Sequence, residues 1–116
     1  MKLLPREMTD CIELCSRCAN TCLTTAMNHC LEVGGEHTER RHFSLMIACA
    51  EICRASAAVM MTGIAEHRHV CGACSEVCIA CAQSCAAVGD REECVAVCRE
   101  CAESCRRMSG AASRAA

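Results

Sequence analysis

One cysteine spacing occurs three times in this chain and constrains its fold more than any other feature. The cysteines step by four, three and four residues in "CIELCSRCANTC", "CSEVCIACAQSC" and "CVAVCRECAESC". Steps of three and four place side chains on one face of an α-helix, whereas a strand would place every second residue on one face. The spacing therefore predicts helices that each carry a row of thiols, and it does not support strands.

Breaks in this pattern divide the chain into four helical segments. Gly34 and Gly35 end the first segment and Gly89 ends the third, while Gly63 follows the second at a position where a left-handed helix end is common. Asp90 is expected to cap the fourth helix, with Glu93 completing a capping box. The predicted helices run over about 5–33, 36–62, 65–88 and 91–108.

Short connections make consecutive helices antiparallel neighbours. We therefore predict an all-α fold, an antiparallel four-helix bundle with a cysteine-lined core. A single domain is expected over residues 1–110, followed by a frayed C-terminal tail at 111–116.

The hairpin register predicts approximate layers of sulfur along the bundle axis. Their expected members are Cys15, Cys53, Cys74 and Cys105 in one layer, Cys18, Cys49, Cys78 and Cys101 in the next, and Cys22, Met46, Cys81 and Cys98 in the third.

The number of cysteines requires a chemical explanation. The chain has 16 Cys but one aromatic residue, Phe43, so an ordinary apolar core is underfilled unless cysteine lines it. Cysteine can act as a small apolar residue, but other small residues would pack without its oxidation hazard. A disulfide scaffold is disfavoured because we expect a cytoplasmic protein without an export signal, and because regular helices make many neighbouring bridges strained. Metal binding is the favoured interpretation.

Ligand softness favours copper. Thiolate and thioether sulfur select Cu(I), zinc and iron–sulfur clusters over hard ions. Zinc prefers closed sites of four donors, whereas two or three sulfurs satisfy Cu(I), so neighbouring ions can share sulfurs along one row. A zinc or mixed-metal thiolate sink is the main alternative. An iron–sulfur electron-transfer protein is less favoured, because "CGACSEVCIAC" lacks the spacing, loop and proline of a ferredoxin motif.

The expected ligands of multiple Cu(I) ions are all the cysteines with one histidine and three methionines. They are Cys11, Cys15, Cys18, Cys22, Cys30, Cys49, Cys53, Cys71, Cys74, Cys78, Cys81, Cys85, Cys94, Cys98, Cys101, Cys105, His42, Met46, Met60 and Met108.

Two ends of the bundle could admit metal. We expect ions to enter near His29, His42 and Met46, because weaker ligands at a mouth can pass an ion to stronger thiolates inside. The alternative mouth holds Met8, Met60 and Met108. Each of these residues could instead be surface or core packing.

The three repeats resemble those of the bacterial copper storage proteins, and the resemblance covers nearly the whole chain. It implies a four-helix bundle that binds many Cu(I) ions through core cysteines. The chain is most similar to the cytosolic branch, although "AAVGDREE" lacks the histidines that this branch often carries between helices three and four. The resemblance also implies a homotetramer.

The predicted function is cytosolic storage or buffering of Cu(I) in a preformed bundle, with delivery by a copper chaperone or a small thiol.

An enzyme is not expected, because no catalytic triad order or glycine-rich phosphate loop occurs. The net charge of −2 is made of interspersed charges, which do not suggest a nucleic acid partner. No membrane partner is expected, since no stretch approaches the roughly 20 apolar residues of a membrane span.

Overall fold

The computed structural model describes residues 4–115, and the side chains of residues 4–110. Helix α1 is α-helical over Arg6–Thr25, π-helical over Ala26–Cys30 and α-helical again over Leu31–Val33. A 3₁₀ turn, Gly35–Thr38, leads to α2 (Arg40–Thr62). Helices α3 (His67–Val88) and α4 (Glu92–Ala115) complete the chain. No strand occurs in residues 4–115.

The helices pack in a ring in which each one contacts the next, and α4 closes the ring against α1. Small residues at the contacts allow the helices to approach closely, among them Ala19, Ala50 and Ala102, which are almost fully buried. The Ser75 hydroxyl donates a 2.8 Å hydrogen bond to the Ala102 carbonyl and links α3 to α4. The predicted all-α four-helix bundle is confirmed.

Glycine ends three of the helices as predicted, and Gly34 directly follows Val33. Gly63 and Gly89 adopt left-handed conformations, with φ of 76° and 77°, directly after α2 and α3. A residue without Cβ reaches this region at little cost. Both positions set where the chain turns back along the bundle.

The predicted helix starts and the predicted last helix end need correction. Helix α2 begins at Arg40 rather than near 36, because the Glu39 side chain accepts the His42 amide and caps the helix there. Helix α3 begins at His67 rather than near 65.

Helix α4 continues to Ala115 rather than ending near Met108, and Gly110 lies within it. The alanine-rich segment after Gly110 favours helix and extends it. The frayed tail, whose side chains lie outside the described residues, stays a prediction.

The predicted capping box at α4 is also wrong. The Asp90 carboxylate accepts the amide of the adjacent Arg91, and its other contacts point into the bundle. The Glu93 carboxylate pairs with the Arg91 side chain instead of returning to Asp90. Asp90 therefore does not cap α4, because its buried carboxylate contacts groups inside the bundle.

Two helices have the length and mean hydropathy of a membrane span, contrary to the sequence expectation. They are α2 and α3, with 18-residue windows of mean hydropathy 1.6 and 1.4. Much of that hydropathy comes from cysteine and alanine, and the cysteines lie in the bundle core. The same composition is found in core helices of globular proteins, so it does not by itself indicate a membrane.

Candidate metal centre

All sixteen cysteines have side chains with no exposed surface, and all are free thiols. The helical steps of three and four residues produce this arrangement, because they keep each thiol on the face that the ring of helices buries. The inward orientation predicted from the spacing is confirmed for every cysteine. The same holds on α2 for Ser56 and Met60, which continue its cysteine row and are also fully buried.

Eleven of these sulfurs form one continuous network, which we call the sulfur ladder. Each makes at least one Sγ–Sγ contact of 3.4 to 3.9 Å. A tetrahedral zinc–thiolate site with bonds of 2.3 Å has sulfurs about 3.8 Å apart. The ladder sulfurs therefore already lie at distances that one metal ion can bridge. The members are Cys11, Cys15, Cys18, Cys22, Cys49, Cys53, Cys74, Cys78, Cys98, Cys101 and Cys105.

Three further cysteines form a group with a buried methionine beside one end of the ladder. Met46 has no exposed surface, and its Sδ accepts from the thiols of Cys81 at 3.7 Å and Cys85 at 3.2 Å. Cys94 contacts Cys85 at 3.8 Å. This Met46 group adds a thioether donor to three thiols. The predicted layer is correct in placing Met46 beside Cys81, but Cys22 and Cys98 lie in the sulfur ladder instead.

Four groups of four cysteines each bring their sulfur atoms within 4.8 Å of one another. Their composition differs from the predicted layers, because Cys101 joins Cys15, Cys74 and Cys105, whereas Cys53 joins Cys18, Cys49 and Cys78. A third group unites Cys18, Cys22, Cys49 and Cys98, and the fourth unites Cys53, Cys74, Cys78 and Cys101. Members shared between groups show that the sulfurs form an interleaved array and not separate layers.

The end of the bundle near Met8 and Met108 has fewer soft donors than the sulfur ladder. Met60 is fully buried, and Met8 and Met108 are 9% and 8% exposed. The Cys71 sulfur lies 3.8 Å from His67 Nδ1. Thioether and imidazole groups thus flank the thiols here, at the mouth that the sequence offers as the alternative.

The opposite end holds a cluster of mixed donors, which we call the Asp90 cluster: Cys30, His37, His42 and Asp90. The Cys30 thiol donates to Asp90 Oδ2 at 3.4 Å and lies 3.8 Å from His42 Nε2. Asp90 Oδ2 lies 3.3 Å from His42 Nε2, and Oδ1 lies 3.9 Å from His37 Nδ1. His29 Nε2 approaches Asp90 Oδ1 at 3.4 Å from outside the cluster. The structure therefore brings His29 and His42 to one end of the bundle with Cys30, and it places Met46 against Cys81 and Cys85.

Sequence reasoning missed Asp90 and His37 as parts of this end. Asp90 precedes a helix, and an aspartate at that position is most simply predicted to be a cap. His37 lies in the predicted second helix, which in fact starts three residues later. One signal in the sequence could have revealed both residues. The hairpin register brings the α1–α2 and α3–α4 connections, which hold His37 and Asp90, to the same end of the bundle.

Burial and mutual hydrogen bonding shift the thiol pKa values. Burial raises the pKa of the Cys30 thiol to about 12, and the charge of Asp90 adds to this effect. Hydrogen bonding with Cys101 raises the pKa of Cys78, and burial adds to this effect. No Lys or Arg is among the buried residues that the structure describes. Since a thiolate would lack a compensating cation there, we expect neutral thiols before metal binds.

The segment "CGACSEVCIAC" lies entirely within α3. Its cysteines face the bundle core together with those of the other helices, whereas an iron–sulfur motif of the bacterial type needs its run of cysteines to wrap one cluster. The geometry does not favour the iron–sulfur alternative.

Comparison with known proteins agrees with this geometry. The family model described as copper storage protein (Csp) matches residues 4–110. The crystal structure of the Nmul_A1745 protein from Nitrosospira multiformis is 49% identical in sequence and superposes with a TM-score of 0.89. The match covers 91% of this chain and 97% of that one. No curated protein matches the chain.

Proposed function

Because the chain belongs to the copper storage protein family, we propose that it stores or buffers Cu(I) as many ions held by cysteine thiolates. The observation that carries this proposal is the sulfur ladder, in which fully buried thiols contact one another at 3.4 to 3.9 Å. Sulfur at this density can hold ions that share ligands. Storage, and not catalysis, is the role that this arrangement supports.

Charge and coordination favour Cu(I) among the soft ions. Binding requires thiolates, and buried thiolates need compensation by an equal positive charge. One monovalent ion for each thiolate leaves the core neutral, and two or three sulfurs suffice for each ion. Multiple ions along the ladder therefore satisfy both requirements.

A zinc sink is the second candidate, and the four-cysteine groups favour it. Those groups have the ligand number that zinc prefers. However, each group shares two cysteines with another, so at most two of the four can be filled by separate ions at once. Zinc in these groups would leave about half of the cysteines unused, which makes stoichiometry the test.

The experiment is an anaerobic titration of reduced apoprotein with Cu(I) against a competing chelator. The proposal predicts a number of tightly bound ions close to the cysteine count of 16. A plateau at four ions or fewer would favour closed zinc-like sites and contradict Cu(I) storage.

We further propose that copper enters at the end that holds His29, His42 and Met46. His42 belongs to the Asp90 cluster. Met46 follows it by one helical turn on α2 and contacts the thiols of Cys81 and Cys85, so the two residues can pass an ion inward. Replacing His42 with Ala and Met46 with Leu together should slow copper loading without changing the final count. Unchanged loading rates would instead favour the Met8, Met60 and Met108 end.

The remaining parts of the proposal concern the cell. We propose a cytoplasmic homotetramer without enzymatic activity that receives copper from a chaperone or a small thiol. Resemblance to the family supports the tetramer, and sedimentation analysis of the purified protein tests it. A monomer at micromolar concentration would contradict that part alone.

A further inference from the structure

The Asp90 cluster differs chemically from the sulfur ladder. It offers one sulfur, two imidazole nitrogens and one carboxylate, and these donor atoms all lie within 4.8 Å of one another. We propose that Cys30, His37, His42 and Asp90 bind a single divalent ion of the zinc class. This site goes beyond the storage of Cu(I), because its ligands and its ion are of a different kind.

The distances fit a tetrahedral ion. Bonds of the length found in zinc sites place two nitrogen or oxygen ligands about 3.3 Å apart, and sulfur about 3.6 Å from either. Asp90 Oδ2 lies 3.3 Å from His42 Nε2 and 3.4 Å from Cys30 Sγ. Cys30 Sγ lies 3.8 Å from His42 Nε2. Three donors thus already lie near the corners of a zinc tetrahedron.

His37 supplies the fourth donor. Its Nδ1 is buried and has no hydrogen-bond partner, although it lies 3.9 Å from Asp90 Oδ1. A buried nitrogen without a partner is costly, and an ion at the centre of the cluster would satisfy it. The unsatisfied nitrogen is therefore an independent sign that a ligand belongs here.

The orientation of His42 is also that of a metal ligand. Its Nδ1 forms a 2.8 Å hydrogen bond with Ser84 Oγ, which fixes the ring and leaves Nε2 directed at Cys30 and Asp90. Histidines that bind metal usually hold their other ring nitrogen in this way. Ser84 is thus a positioning residue for the site.

Charge selects a divalent ion over Cu(I) here. The Asp90 side chain has no exposed surface, and its ion-pair partners among the described side chains are histidines. A carboxylate and a thiolate together carry two negative charges, which one divalent ion neutralises. Carboxylate and imidazole also suit zinc better than they suit Cu(I).

The chain brings these ligands together from two helices and two connections at one end of the bundle. Cys30 ends the π-helical turn of α1, His37 lies in the 3₁₀ turn, and Asp90 joins α3 to α4. A single π-helical turn within an α-helix often marks a functional site. An ion here would fasten the α1–α2 connection to the α3–α4 connection.

X-ray absorption at the zinc edge tests the site directly. Apoprotein that holds one equivalent of Zn²⁺ under anaerobic conditions should show one sulfur and three nitrogen or oxygen ligands. A shell of four sulfurs would place the ion in the ladder and overturn the proposal.

A variant pair tests the same site in solution. His37→Ala should weaken Zn²⁺ binding at least about tenfold, whereas His69→Ala, which removes an exposed histidine from α3, should leave it unchanged. Because His37 Nδ1 has no hydrogen-bond partner, its removal should not unfold the bundle. Asp90→Asn should weaken zinc binding by a similar factor.

Equal zinc affinity in His37→Ala and His69→Ala would contradict the proposal. The Cu(I) count of His37→Ala should stay within one ion of the unmodified protein. The zinc site and copper storage can therefore fail independently of each other.

Discussion

At the scale of single residues, cysteine serves two purposes in this chain. A neutral thiol packs as a small apolar group and forms weak hydrogen bonds, so the sixteen buried thiols can fill the core before metal arrives. Once deprotonated, the same sulfur is a soft ligand. The core and the proposed binding site are therefore made from the same atoms.

Removing a sulfur from the middle of the ladder should lower the number of bound Cu(I) ions more than removing one from its edge. Cys53 contacts Cys74, Cys78 and Cys101, so the loss of its sulfur would remove a ligand that several neighbouring ions share. Cys53→Ser should lower the Cu(I) count by two or more ions, whereas Cys11→Ser at the edge should lower it by about one. Chelator competition on both variants measures the difference.

The same two variants give a control on folding. A buried serine hydroxyl without a good partner costs about 1 to 3 kcal/mol, and both sites are fully buried. Similar losses of stability with different copper counts would support ligand sharing. Equal losses of copper would contradict it.

At the residue scale, the sequence predicts which side each cysteine faces but not which sulfurs meet. The helical period determines the face. The partners depend on the offset between neighbouring helices, which the loops and packing decide. This is why Cys53 and Cys101 exchange groups relative to the predicted layers.

At the scale of elements, helix ends were more predictable than helix starts. Glycine is strongly preferred where φ is positive, so Gly63 and Gly89 marked their helix ends correctly. Starts depend on a capping side chain that can have other partners. Asp90 turns inward to the histidines, and Glu39 caps α2 at a position that the hydrophobic pattern does not reveal.

Strain at the end of α3 gives a prediction for Gly89. Its φ is 77°, and a Cβ there would have no atom within 4 Å, so substitution acts through the backbone alone. Gly89→Ala should reduce the free energy of unfolding of the apoprotein by about 1 kcal/mol. Gly89→Asn should lose less, because asparagine tolerates this conformation.

Urea unfolding of the reduced apoprotein measures both Gly89 variants. Their Cu(I) counts should match the unmodified protein, since neither changes a sulfur. A stability of Gly89→Ala at or above that of the unmodified protein would show that the left-handed turn carries no strain cost.

At the scale of the whole molecule, the fold should exist before the metal. The ring of helices is closed and its core is filled by neutral thiols, so each ion should replace protons without organising the chain. Circular dichroism of the reduced apoprotein should show the helix content of the loaded protein. A transition from coil to helix on loading would contradict a preformed store.

Proton displacement gives copper binding a definite pH dependence. The pKa of Cys78 is raised by hydrogen bonding with Cys101, and burial raises that of Cys30 to about 12. Such thiols are protonated at neutral pH and must lose the proton to bind. The apparent Cu(I) affinity should therefore rise from pH 6 to pH 8, by up to about tenfold per pH unit for each proton displaced.

Chelator competition at several pH values measures this dependence. A titration in weak buffer counts the protons released for each ion. Affinity that does not change with pH would mean that the thiols are already ionised in the apoprotein.

The most direct measurement of the central claim is a crystal structure of the Cu(I)-saturated protein with anomalous data at the copper edge. We predict copper peaks along the bundle axis, most of them bound by two or three cysteine sulfurs of the ladder. Copper found only on the outer surface, or a core whose sulfurs have paired as disulfides, would contradict storage within the bundle.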